Sequence, residues 1–189
     1  MLFVSDHGEQ FWEVDTWGHG LTLAETLIRV PFLLRTPGQS CAVRSPRIAQ
    51  HIDILPTFLA LAGIEGHYRG EGENLLRPSL PADRLAYSAV DKSQCTGVAM
   101  STRDWKLVVS RSFRFSNNSS DLFLLDRSTP EREELNLRHQ QPRVVEVLQE
   151  AILQHEAAEA SLESALTPLD DELRRELEAL GYLDPESGP

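Results

Sequence analysis

The chain has 189 residues, 41% of them hydrophobic and 25% charged, and a formal net charge of −11. That composition suits a globular chain of one or two small domains; no apolar run nears the roughly 20 residues that span a bilayer, so no transmembrane segment is expected. Residues 143–189 hold 12 acids and 3 bases and so carry −9 of the net charge, which argues against a basic nucleic-acid-binding face.

Met1-Leu2-Phe3-Val4 is an apolar run that reads as a strand buried on both faces, as in a parallel sheet. It ends in Ser5-Asp6-His7-Gly8, which places an acid and an imidazole at the carboxyl edge of a strand, where open α/β sheets bind ligands. Carboxylate oxygen and neutral imidazole nitrogen both ligate divalent cations, and glycine permits a sharp turn. Residues 9–22 lack periodicity and read as a loop at that edge, in which Phe11, Trp12 and Trp17 either wall a pocket or pack beneath the chain. Thr22 to Ile28 has the form of a short helix with a Thr22–Glu25 capping box. Val30 to Leu34 reads as a second apolar strand, parallel to the first, stopped by Pro37-Gly38.

Asp53 to Ala62 reads as a buried helix, capped by Asp53, with Pro56 in its first turn and Gly63 at its end. The glycine- and proline-rich stretch to Pro81 marks a domain boundary, giving domains 1–82 and 83–189. Short strands follow at Leu85–Val90, Gly97–Ser101, Trp105–Ser110 and Leu122–Leu125, the pattern of an antiparallel meander. Asn117 to Ser120 contains overlapping glycosylation sequons. Residues 143–163 form a helix with Val144, Leu148, Ile152, His155 and Leu162 as its apolar stripe; Thr167 and Pro168 start another, which Gly181 stops. Cys41 and Cys95 leave one disulfide or two free thiols open, and the compartment is undetermined.

Several ordered segments carry a resemblance: Ser5-Asp6-His7-Gly8-Glu9, Trp17-Gly18-His19-Gly20 through Glu25, Arg29-Val30-Pro31-Phe32 with Pro37-Gly38, Asp53-Ile54-Leu55-Pro56-Thr57 with Leu61-Ala62-Gly63-Ile64, Asp121 to Asp126 with Glu134-Leu135-Asn136-Leu137, and Leu180-Gly181-Tyr182-Leu183. Together they resemble the C-terminal portion of the sulfatase family, within the alkaline-phosphatase-like superfamily. The resemblance implies an α/β fold: part of an alkaline-phosphatase-like parallel sheet with helices in residues 1–82, then a small antiparallel sheet and C-terminal helices in 83–189.

It also implies metal-dependent hydrolysis of sulfuric esters by a formylglycine nucleophile. Asp6 falls on a metal-binding aspartate, and His7 on its neighbouring ligand, often asparagine in sulfatases. The histidine form occurs in phosphodiester and phosphonate hydrolases of the superfamily. His19 falls where many sulfatases place a lysine that contacts the sulfate, so it is the catalytic candidate. Glu9, Glu25, Arg29 and Asp53 match the pattern as structural residues, and His51 and His67 have no motif around them. The implied metal is Ca2+, with Mg2+, Mn2+ or Zn2+ permitted by the residue types.

The nucleophile motif C-x-P-x-R is absent from the sequence, and Ser128-Thr129-Pro130-Glu131-Arg132 fits its serine form by coincidence. A calcium site takes ~6–8 ligands, and only Asp6 and His7 match. The expectation is a C-terminal fragment, from a truncated reading frame or one half of a split protein, with a sulfate or phosphate ester as substrate and the missing N-terminal half of the catalytic domain as partner. A non-catalytic interaction module on the same fold is the reading from another class.

Overall fold

The computed structural model describes residues 1–13, 17–64, 66, 68–81, 83–92, 95–111, 122–128 and 135–163, with Lys92, Leu162 and Glu163 as backbone. The sequons, His67, most of the Ser128–Arg132 motif, the helix expected from Thr167 and the Leu180–Leu183 segment lie outside the described residues. The chain divides into two units, Met1–Ile152 and Leu153–Pro189.

The first unit is mixed α/β. Strand β1 (Leu2–Val4) pairs with β4 (Phe32–Leu34); between them lie the small hairpin β2 (Gln10–Phe11) and β3 (Trp17–Gly18), and helix α1 (Glu25–Ile28). A 3-10 turn at His51–Asp53 leads into helix α2 (Ile54–Leu61). Strands β5 (Ala86–Lys92), β6 (Cys95–Ser101), β7 (Trp105–Ser110) and β8 (Leu122–Asp126) form a four-stranded antiparallel sheet in chain order, as the strand spacing predicts. Helix α3 (Pro142–Glu163) follows.

The sheet's strands are nearly continuously apolar because both faces are covered. Val90, Ala99, Val108, Phe123 and Leu125 pack with Leu23 and Ala24 beside α1. The alternate positions Val98, Met100, Leu107 and Leu124 pack under Val145, Leu148 and Ile152 of α3. The helix therefore turns Val145 fully inward, where the expected stripe had Val144, which is only partly buried. In the second unit, His155 Nε2 lies 3.6 Å from Glu159 Oε1, one helical turn on.

Four local expectations are corrected. The β1–β4 pair is antiparallel, Leu2 opposite Leu34 and Phe3 opposite Leu33; an apolar run encodes burial but not direction. The ribbon is also not buried on both faces, for Phe3 is 61% and Leu33 58% exposed. The Thr22–Glu25 capping box does not form: α1 begins only at Glu25 with Ala24 as N-cap, and the Thr22 hydroxyl donates to Gln10 Oε1 instead. Asp53 precedes α2 without a side-chain cap bond to it, because Gln50 N–H, Glu73 N–H and Arg84 occupy its carboxylate. Both cysteines are free, Cys41 exposed and Cys95 buried.

Two buried carboxylates hold the unit together. Glu25 meets Lys106 Nζ at 3.2 Å and Arg127 Nε at 3.1 Å; Lys106 is itself fully buried and donates to the Leu23 carbonyl at 2.9 Å. Asp53 takes both Arg84 guanidinium nitrogens, at 2.8 and 2.9 Å. Burial pushes each carboxyl's pKa up, but at Glu25 Lys106 and Arg127, and at Asp53 Arg84 with two backbone N–H groups, outweigh it and leave both lowered. A lowered folded-state pKa means that the unfolded chain takes up protons first on acidification. Stability is then complete above the ordinary values of 4.5 and 3.8 and drains as pH falls through the depressed ones. Urea midpoints should hold level from about pH 7 to about pH 5 and drop steadily below about pH 4.5; a midpoint that rises on acidification would contradict both clusters.

Candidate functional site

The site lies where β1 ends. Gly8 N–H donates to the Leu27 carbonyl at 2.8 Å and ties the turn to α1. The Ser5 hydroxyl donates to the His7 carbonyl at 2.7 Å, and the His7 N–H to Asp6 Oδ1 at 2.9 Å. The sequence reads Gly8 as permitting a sharp turn, and its φ is not positive. Its requirement is space, since a Cβ there would lie 1.9 Å from the Thr26 carbonyl oxygen.

Asp6 is 88% exposed at its side chain, and its Oδ2 lies 3.8 Å from His7 Nε2. Its carboxyl is held below the usual range, first by the His7 N–H, then by charge on His7, with its own N–H and His19 assisting. His7 Nδ1 lies 2.7 Å from the Gly8 carbonyl, an acceptor, so Nδ1 carries a proton and the neutral ring offers its lone pair at Nε2. The His19 ring stacks on His7 with centroids 4.1 Å apart, and its Nδ1 lies 3.3 Å from Glu9 Oε2. The structure thus brings Asp6, His7 and His19 together.

An ionised carboxylate and an imidazole lone pair at this spacing suit two ligands of one divalent cation. They are not a complete set: among the described residues, no three His, Cys, Asp or Glu side chains converge to hold a metal. Glu9 turns its other oxygen, Oε1, inward, where it has no hydrogen-bond partner among the described residues.

Phe11, Trp12 and Trp17 lie beside this cluster on the β2–β3 hairpin. They are exposed and gather in one group, Phe11 edge-to-face with Trp17 at 5.1 Å and Trp12 tilted against Trp17 at 6.2 Å, so they do not pack beneath the loop. Sequence reasoning missed His51, whose Nε2 lies 2.8 Å from the Ser5 carbonyl. Its only signal is its place two residues before Asp53. An open apolar groove of about 550 Å³ lies behind the site, lined by Leu2, His51, Ile52, Ile54, Leu55, Phe58 and Tyr68.

Comparison with known proteins agrees with the local pattern. The family model described as Sulfatase matches residues 1–64. The chain is 35% identical over 82 residues to the uncharacterized sulfatase YidJ of Escherichia coli K12, covering 43% of this chain and 16% of that protein. It is 33% identical over 64 residues to arylsulfatase K of Mus musculus, covering 34% and 11% respectively. The matched stretches are thus under a fifth of those relatives' lengths. The fold resembles a crystal structure of a candidate sulfatase from Bacteroides thetaiotaomicron VPI-5482, with a TM-score of 0.68 at 17% identity over 92% of this chain and 39% of that one. It also resembles BT4656, solved with its substrate D-glucosamine-2-N,6-O-disulfate, with a TM-score of 0.60 at 23% identity over 82% and 33%. At those identities the two structures speak to the fold. Residues 1–64 are thus similar to the sulfatase family in sequence, and the chain resembles sulfatases in fold.

Proposed function

We propose that this chain supplies part of the metal site of a sulfuric ester hydrolase, with Asp6 and His7 as metal ligands and His19 as the group that hydrogen-bonds the ester. The observation that carries it is the meeting of Asp6, His7 and His19 at the end of β1, with the two rings 4.1 Å apart. A divalent cation, Ca2+ by family resemblance, would be held by Asp6 Oδ2 and His7 Nε2 and supply positive charge toward the ester's anionic oxygens. Glu9 fixes the His19 ring, which is placed to donate to the sulfate or the leaving-group oxygen.

Residues 1–82 are assigned to the catalytic α/β domain and 83–189 to the smaller antiparallel-sheet subdomain. The remaining ligands and the formylglycine nucleophile come from the N-terminal half of that catalytic domain. The two-ligand site, the exposed Phe3–Leu33 face of the β1–β4 ribbon and the small share of each relative covered all support this division.

With two protein ligands, this chain should bind cations weakly, with a Kd of about 1 mM, the weak end for calcium sites. Titrating Mn2+ into labelled chain should broaden the NMR amide signals of Asp6, His7 and His19 before any others, and excess Ca2+ should restore them. Asp6→Asn should abolish the effect. Broadening confined to the acidic face of α3, or none at tens of millimolar, would overturn the reading. His7, in place of the usual sulfatase asparagine, favours a phosphodiester or phosphonate hydrolase as the second reading. Turnover of an aryl phosphodiester above an aryl sulfate by the complete protein would decide for it.

A further inference from the structure

The geometry points to His51 as a positioning residue for the Asp6–His7 pair, acting through the Ser5–Asp6 peptide. This rests on the metal reading above. His51 Nε2 lies 2.8 Å from the Ser5 carbonyl, across 46 residues of sequence. A carbonyl only accepts, so Nε2–H donates. The Ser5 carbonyl and the Asp6 N–H belong to one planar peptide group. Fixing the direction of that carbonyl fixes the plane from which the Asp6 Cα–Cβ bond leaves, and so where its carboxylate points.

The donor is presented by a turn with little freedom to drift. Asp53, two residues on, is fully buried and bound by Arg84 at 2.8 and 2.9 Å, by the Gln50 N–H at 2.9 Å and by the Glu73 N–H at 2.7 Å. Between them, the Ile52 carbonyl packs so closely on Gly72 that a Cβ there would lie 1.9 Å away. The Tyr68 hydroxyl accepts the Gly72 N–H at 2.9 Å and closes the same turn. Downstream, the Asp6–Gly8 turn is already tied by the Ser5 hydroxyl and the Gly8 N–H. The His51 bond adds a hold on the Ser5–Asp6 peptide, just past the end of β1 and on the upstream side of Asp6. A buried, rigid ion pair is thereby linked through one turn to an exposed ligand. Groups that orient metal ligands typically change affinity about 10–100-fold when removed.

The test compares wild type, His51→Ala and His51→Gln, each as the full 189-residue chain. Mn2+ affinity is read from amide broadening, the Ser5–Asp6 peptide from the Asp6 amide nitrogen shift without metal, and folding from the urea midpoint. His51→Ala should weaken Mn2+ binding about tenfold or more and displace the Asp6 nitrogen resonance. His51→Gln, which keeps an N–H donor, should recover part of both. A residue that only braces the fold would shift the urea midpoint and leave the affinity of the folded population unchanged. Equal affinities in wild type and His51→Ala would overturn the His51 role and leave the metal reading standing; a wild-type chain that binds no Mn2+ would overturn both.

Discussion

Replacing Glu25 with leucine should destabilise the first unit by about 3–5 kcal/mol, the usual cost of removing one partner from a buried ion pair. The reason is what stays behind. Lys106 is fully buried, with its ammonium 3.2 Å from Glu25 Oε1, and Arg127 reaches both carboxylate oxygens, at 3.1 and 3.2 Å. Without the carboxylate, Lys106 and Arg127 both lose the acid they share, beside a core that holds Leu23, Ala24, Val108 and Phe123. The Leu23 carbonyl still accepts from Lys106, but a neutral acceptor does not balance a full charge. Pairing Glu25→Leu with Lys106→Met should therefore cost less than Glu25→Leu alone, a coupling expected for groups in direct contact. Urea titrations of the two singles and the double measure it. A loss below about 1 kcal/mol for Glu25→Leu would place the pair at the exposed, weakly coupled end of the range.

Gly8→Ala should be the most damaging single methyl in the site. The added carbon would meet the Thr26 carbonyl oxygen at 1.9 Å, its carbon at 2.9 Å and Leu27 Cα at 3.3 Å, all backbone atoms of α1. No side chain can swing aside, so α1 and the β1 turn must part, breaking the 2.8 Å bond from Gly8 N–H to the Leu27 carbonyl. The expected loss is about 3 kcal/mol, the upper end for overpacking, together with loss of Mn2+-dependent broadening at Asp6 and His7. Gly38→Ala is the control. Its φ of 74° disfavours alanine, yet nothing lies within 4 Å of the added carbon, so only the backbone cost of about 1–2 kcal/mol applies. If Gly8→Ala were the milder of the two, the close approach to α1 would be wrong.

How much of this was legible in the sequence differs from element to element. The meander β5–β8 was, because short apolar runs separated by turn residues leave few other arrangements, and Thr102-Arg103-Asp104 is a hairpin-length link. The position of helix α2 was too, since Pro56 and Gly63 fix its start and end locally, but its burial was not: only Pro56 and Thr57 are buried, and Leu55, Phe58 and Leu61 are exposed. Strand direction was not: Leu2–Val4 and Phe32–Leu34 read alike whichever way they run. The hairpin β2–β3 has two residues per strand, too few for any period to show. At the site, Asp6, His7 and His19 stood out by residue type and by family pattern. The ion pairs did not, because Lys106 lies in an apolar strand with no local sign that its partner is Glu25. Only the alternation hints at it: Lys106 shares a sheet face with Val108, and Val108 packs beside Leu23.

The Glu25 cluster also sets an order of events during synthesis. A nascent chain leaves the ribosome amino end first, so Glu25 emerges long before Arg127, its partner 102 positions later. Until both cations exist, a carboxylate destined for complete enclosure keeps its stretch hydrated, since dehydrating a lone charge is prohibitive. Full enclosure of Glu25 therefore waits on the strands that carry Lys106 and Arg127, Arg29 being its exposed partner until then.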